Sequence, residues 1–259
     1  IVSAQGSGKS LIIGGIADQL QRECLILQPS RELLSQNKEK LSNYVSEDEI
    51  GVYSASFARK DIAKYTFATI QSIYKRPDLF SHIGLVLIDE AHLVNMKKAG
   101  GMFTSFLKNI GSPPTIGLTA TPYRNMLGYE RLDNGNLLAT TMVKLINRVN
   151  PRLWSRILFN LNTYELIEQG YLTPLRYEIR ETVPHFKIPT NKSRSDFDLD
   201  AFEKLLSPFE GQIMEDINDN RKLRKAVLVF CSSVNQAERL SQTMVGAAVV
   251  SSNTSKKER

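Results

Sequence analysis

Short apolar runs separated by amphipathic stretches mark the chain from residue 1 to about 179, the pattern of strands and covering helices in a doubly wound parallel sheet. Runs at 24–28, 51–54, 65–68, 85–88 and 115–118 predict strands. Between them, 31–45 and 70–75 read as helices, while Pro77 and the cluster Gly111-Ser112-Pro113-Pro114 break the chain. No internal repeat is visible.

Beyond Arg124 the pattern is less regular through 162, with Asn134-Gly135, Asn150-Pro151 and the only tryptophan, Trp154. A capped helix is predicted over 163–170, with Gly170 as its stop. The stretch 180–200, carrying Pro184, Pro189, Lys192 and Arg194, has the composition of an interdomain linker. After it a helix at 201–218, a strand at 226–230, a helix at 235–244 and a strand at 247–250 predict the start of a second parallel unit. One strand-helix-strand unit cannot cover both faces of a sheet, so this domain is expected to be completed by further residues. The run Arg221-Lys222-Leu223-Arg224-Lys225 reads as a solvated helix end.

With 259 residues, 42% of them hydrophobic and 23% charged, the chain can build one large or two ordinary domains. Its apolar runs fall far short of the roughly 20 residues of a membrane-spanning helix, so no membrane role is expected. The net charge of +6 favours a polyanionic partner only modestly. Cys24 and Cys231 stand alone in apolar, strand-like runs; they are expected to be buried, reduced core thiols, which suits a cytoplasmic protein.

Two segments carry chemistry. Gly8, Lys9 and Ser10 end a match to G-x-x-x-x-G-K-[ST], in which backbone amides surround phosphate oxygens, lysine neutralises them and the hydroxyl binds magnesium. Ser3 replaces the first glycine of that pattern, and Gly6 and Ser7 fall at its free positions. The helix that follows would present its N-terminus to the anion, and the pair Gly14-Gly15 inside it implies close packing on the sheet. The second segment is Asp89-Glu90-Ala91-His92, which follows the apolar run Leu85-Val86-Leu87-Ile88. Carboxylates at the C-terminal edge of a parallel strand lie where ligands bind in such sheets. Asp89 can hold magnesium there, Glu90 can orient and deprotonate a water, and His92 can bond a γ-phosphate or relay its presence.

Together with Pro29-Ser30-Arg31-Glu32-Leu33, Ala68-Thr69-Ile70-Gln71-Ser72, Gly117-Leu118-Thr119-Ala120-Thr121-Pro122-Tyr123-Arg124 and Val227-Leu228-Val229-Phe230-Cys231-Ser232-Ser233, the two segments resemble, in order, the motifs of superfamily 2 helicases of the DEAD/DEAH type. The segment 166–175 is similar to the bacterial and phage group containing RadD and type III restriction subunits. The resemblance implies a RecA-like domain over 1–179, a linker over 180–200 and the start of a second RecA-like domain over 201–259. It implies ATP and Mg2+ as cofactors, with Lys9, Asp89 and Glu90 catalytic, Gly6, Ser7, Gly8, Lys9, Ser10 and His92 at the nucleotide, and Ser10 and Asp89 at the metal. Thr119 and Thr121 would couple the nucleotide site to domain movement. Ser30, Arg31, Thr69, Gln71 and Ser232 would contact nucleic acid, with DNA favoured over RNA.

The family's adenine-reading motif and its motifs V and VI, with their arginine fingers, have no match here, so the chain reads as truncated at both ends and is expected to turn over ATP poorly by itself. The expected function is an ATP-dependent helicase or translocase in a bacterial or phage-encoded protein. Two alternatives stand beside it: a restriction or repair motor that moves on duplex DNA without unwinding, and a nucleotide-gated clamp.

Overall fold

A computed structural model describes residues 1–94, 101–131, 133, 135–149, 152–177, 187–190, 197–251 and 254. Asn134, Asn150-Pro151, most of the expected linker and nearly all of 251–259 lie outside the described residues. The chain divides into two compact units, one of Ile1–Arg124 with Val143–Leu175, the other of Asn125–Met142 with Arg176–Arg259.

The first unit opens with β1 (Val2–Ser3), α1 (Lys9–Leu20), β2 (Cys24–Leu27), α2 (Arg31–Leu41), β3 (Ile50–Ser54), β4 (Arg59–Lys60) and β5 (Tyr65–Ala68). It continues with α3 (Ile70–Ile73), β6 (Leu85–Ile88), α4 (Met102–Asn109) and β7 (Thr115–Gly117). A hairpin of β8 (Tyr123–Arg131) and β9 (Leu137–Leu145) follows, its body belonging to the second unit. β10 (Asn160–Leu161) and α5 (Thr163–Glu168) return to the first.

The five expected strands all form. With β4, which was not expected, they join in the order β4-β3-β5-β2-β6-β7, parallel except for β4. β1 pairs in parallel with β10 and is bridged to Thr119, just past β7, with Ser3 N donating to Thr119 O at 2.9 Å. The strand that leads into the phosphate loop is thus separated from the acidic strand β6 by β7, and both open at the same edge.

Alternation along the strands explains why each helix lies where it does. Cys24 and Ile26 point into one core with Ile13 and Ala17 of α1 and Leu34 and Leu41 of α2. Leu25 and Leu27 point into the other with Ile70 and Ile73 of α3 and Phe106 and Leu107 of α4. Each fully buried Leu or Phe side chain contributes about 1.5–3 kcal/mol, and Phe80 adds edge-on contacts to Tyr53 and Phe106 with ring centroids 5.5 and 5.8 Å apart. Gly117 has no room for a side chain, because a Cβ there would meet the Trp154 ring at 2.5 Å. Cys24 is fully buried, and burial pushes its thiol up to about 12.

Several expectations need correction. The stretch after Arg124 is not irregular: β8 and β9 run nine residues each, and both strands are largely exposed, so the core pattern that marks the other strands is absent from them. Gly14 packs on the Tyr44 ring and Leu41 rather than on the sheet, and a Cβ at Gly15 would meet nothing within 4 Å.

In the second unit the expected helix at 201–218 is two helices, α6 (Leu199–Leu206) and α7 (Glu210–Leu223), separated by a 3-10 turn containing Pro208. Proline lacks the amide that a continuous helix needs. Asp198 caps α6 by accepting from Ala201 N, and α8 (Val234–Thr243) is capped by Ser233. Arg239 ties the helices together through Glu203 at 2.9 Å and Glu210 at 2.7 Å. The expected strands at 226–230 and 247–250 do not form, and Leu228 and Phe230 are exposed. A buried parallel strand requires paired neighbours, which the described residues of this unit do not supply. Cys231 is accordingly half-buried rather than a core residue.

Candidate nucleotide site

The phosphate loop follows β1 directly. Gly6 and Gly8 hold φ of 81° and 83°, a left-handed backbone that side-chain-bearing residues rarely adopt. Their turn leads into α1 at Lys9. The ammonium of Lys9 arches back over the loop, 3.5 Å from Ser3 O and 3.4 Å from Ala4 O. Ser3 is buried, and its hydroxyl lies 2.6 Å from that of Ser7, so serine at the first position of the pattern stitches the loop instead of merely filling it. Ser10 sits one residue into α1, with Lys40 Nζ 3.5 Å from its hydroxyl.

The acidic pair stands at the end of β6. Asp89 is buried, and its carboxylate accepts from Asn37 Nδ2 at 3.0 Å and from Glu90 N at 2.9 Å. Glu90 has φ 48°. A left-handed residue with a side chain costs roughly 1–2 kcal/mol, and here it turns the chain so that Ala91 N reaches Leu118 O at 2.9 Å.

His92 is drawn to the same point. Its Nδ1 lies 2.8 Å from Thr119 Oγ1 and 3.3 Å from Glu90 Oε2. Thr121 N donates to Thr119 Oγ1 at 3.1 Å, and Arg124 Nε donates to the carbonyl of His92. Partial burial lowers the imidazole below its ordinary value; Glu90 opposes this, while Arg124 and Lys9 reinforce it. Near neutral pH the ring is therefore an uncharged donor and acceptor.

The site's donors suit phosphate and magnesium. A loop of left-handed glycines with a lysine across it is a phosphate cradle. A hydroxyl and a carboxylate are the hard oxygen ligands magnesium takes, with phosphate and water completing its shell. Among the described residues, no three His, Cys, Asp or Glu side chains form a metal cluster, a cage that magnesium does not need.

Ser30, Arg31, Thr69 and Gln71 lie beyond the C-terminal ends of the adjacent strands β2 and β5. Ser30 caps α2 by accepting from Leu33 N, and the guanidinium of Arg31 stacks on Phe57 at 4.7 Å. Thr69 Oγ1 lies 2.9 Å from Ser72 Oγ, and Gln71 is exposed. Ser232 belongs to the second unit, where its amide and hydroxyl both reach Gln236 Oε1. Reasoning from the sequence missed Asn37, Lys40 and the tie from Arg124 to His92. Asn37 had a legible signal, an amide in the apolar stripe between Leu34 and Leu41.

Comparison with known proteins bears on the same stretch of chain. The family model described as "Type III restriction enzyme, res subunit" matches residues 1–124, which span the phosphate loop, the acidic segment and Thr119 to Arg124. Residues 1–124 thus hold the segments by which the chain resembles superfamily 2 helicases. The chain is 32% identical over 132 residues to the "Putative DNA 3'-5' helicase Rad25" of Halobacterium salinarum, covering 48% of this chain and 20% of the relative. It is 29% identical over 126 residues to the "DNA 3'-5' translocase XPB2" of Sulfurisphaera tokodaii, covering 48% and 27%. The chain thus spans about a fifth to a quarter of the curated relatives it matches. Both organisms are archaea, so the expected bacterial or phage source gains no support from them. Among solved structures, the UvsW helicase of bacteriophage T4 overlaps 47% of this chain and 46% of its own at 21% identity and a TM-score of 0.41. So low a score leaves the fold to be read from this chain's own strand order. No described helix is long and apolar enough to cross a membrane.

Proposed function

We propose that the protein is an ATP-driven motor acting on DNA, a helicase or translocase in which ATP and magnesium bind to the first unit. The observation that carries this reading is the link from Glu90 through His92 to Thr119, which joins the hydrolytic carboxylate to the segment after β7. Such a connection is the kind of physical link by which a motor passes the state of its nucleotide site to another segment.

Each residue then has a task. The glycine turn at Gly6 and Gly8, with Ser7, presents backbone amides to the phosphates, and Lys9 swings from Ser3 and Ala4 to neutralise them. Ser10 and Asp89 would hold magnesium. When bound, the metal offsets phosphate charge and orients the terminal phosphoryl group. Glu90 takes the proton of the attacking water, and neutral His92 reports the state of the phosphates to Thr119 and Thr121.

Ser30, Arg31, Thr69 and Gln71 offer polar groups to the nucleic-acid backbone; Ser232, in a second RecA-like domain over 201–259 beyond a linker at 180–200, would contact nucleic acid from its own unit. The printed names of the curated relatives favour DNA and 3'-5' movement. The segment Asp89-Glu90-Ala91-His92 would serve as a DEAH box, and ties to DNA repair would follow from the Rad25 name. Hydrolysis by the protein with single-stranded DNA, duplex DNA and RNA tests the reading. DNA should stimulate turnover, and Lys9→Ala should abolish it; a rate indifferent to every nucleic acid would refute the motor. A strand-displacement assay separates unwinding from translocation on duplex.

A further inference from the structure

α2 turns Leu34, Asn37 and Leu41 toward the sheet, and all three are buried. An amide in that stripe is unfavourable unless it is hydrogen-bonded, and its partner is Asp89 Oδ2. With Glu90 N on Oδ1, both carboxylate oxygens are held by neutral donors of the protein. A neutral donor fixes the orientation of a carboxylate without cancelling its charge, which a metal ligand needs to keep.

Gln28 supplies a second amide. The register places Leu27 beside Ile88, and Asp89 N donates to Leu27 O, so Gln28 stands next to Asp89 in the sheet. Alternation puts it on the face of Cys24 and Ile26, the same face as Leu85, Leu87 and hence Asp89. Its side chain is 3% exposed, and both amide atoms are buried with no hydrogen-bond partner. One turn beyond Asn37, Lys40 approaches the hydroxyl of Ser10.

We infer that Asn37 is a positioning residue for Asp89, with Gln28 beside it, so that α2 connects the metal-binding carboxylate to the helix end that carries Ser30 and Arg31. This rests on the ATPase reading.

The test is titration of a fluorescent ADP onto the protein and its Asn37→Leu and Asn37→Ala variants, each with magnesium and with EDTA. Asn37→Leu completes the apolar stripe and should fold; if it does not, Asn37→Ala, which only removes atoms, carries the same comparison. The affinity in EDTA should match that of the unaltered protein, while the gain on adding magnesium should shrink about tenfold, the usual effect of losing a partner that orients a metal ligand. The magnesium concentration for half-maximal hydrolysis should rise by the same factor. A magnesium gain equal to that of the unaltered protein in a folded variant overturns the inference and leaves the ATPase reading standing. No magnesium gain in the unaltered protein overturns both.

Discussion

His92 Nδ1 lies 2.8 Å from Thr119 Oγ1, and that same hydroxyl accepts the amide of Thr121 at 3.1 Å. One buried hydroxyl therefore joins the segment after β6 to the segment after β7. Thr119→Val keeps the shape and removes the bond. It should destabilise the fold by about 1 kcal/mol, leave nucleotide affinity nearly unchanged and reduce the stimulation of hydrolysis by DNA severalfold. Unaltered stimulation in a folded variant would show that the link is structural only.

The protonation of His92 gives a pH dependence of definite sign. Its folded value lies below its unfolded one, chiefly because burial disfavours the charged ring, with Glu90 and Asp89 opposing and Arg124 and Lys9 assisting. The unfolded chain thus binds a proton more readily. The stability contributed by keeping the ring neutral is complete above the unfolded value and is lost as pH falls from there through the folded one. Denaturant melts between pH 7 and pH 5 should therefore show the unaltered protein losing more stability than His92→Gln. An equal loss in both would mean that the ring is not constrained.

Much of the first unit was legible because its chemistry and its packing coincide. The runs at 24–28 and 85–88 are apolar because helices cover both faces, and the polar residues that end them lie at the strand ends where ligands bind in such sheets. Ser30 and Arg31 could be placed at a strand end, and the cap Ser30 gives Leu33 N is local, but the stacking of Arg31 on Phe57 depends on a neighbour distant in sequence. Asn37 stood out as an amide in an apolar stripe, but its partner was hidden because Asp89 lies 52 positions away. The strands expected at 226–230 and 247–250 show the opposite failure. An apolar run specifies a strand only when other strands are there to pair with it.

Gly14 and Gly15 separate two reasons for a helical glycine. Gly15 has open space where a Cβ would go, so Gly15→Ala should raise unfolding free energy by about 0.8–1 kcal/mol. Gly14→Ala drives a Cβ to 3.1 Å from the Tyr44 ring and should bring no such gain. Thermal melts of the two variants check the contrast, and equal stabilisation by both would contradict it.

Strain at Glu90 makes stability and activity move in opposite directions. Glu90→Gly relieves the left-handed conformation and should stabilise the fold by about 1 kcal/mol, while removing the proposed general base. Glu90→Ala removes the base without the relief. Calorimetry should therefore rank the glycine variant above the alanine variant; the reverse order would mean that the backbone at 90 is unstrained.

The central claim is that Glu90 activates water at a site built by Lys9, Ser10 and Asp89. Steady-state ATP hydrolysis with saturating DNA, measured beside nucleotide binding for the unaltered protein and Glu90→Gln, tests it most directly. The account predicts nucleotide affinity within a few fold and turnover lower by about 10²–10⁴ in the variant. Turnover by Glu90→Gln equal to that of the unaltered protein would contradict it.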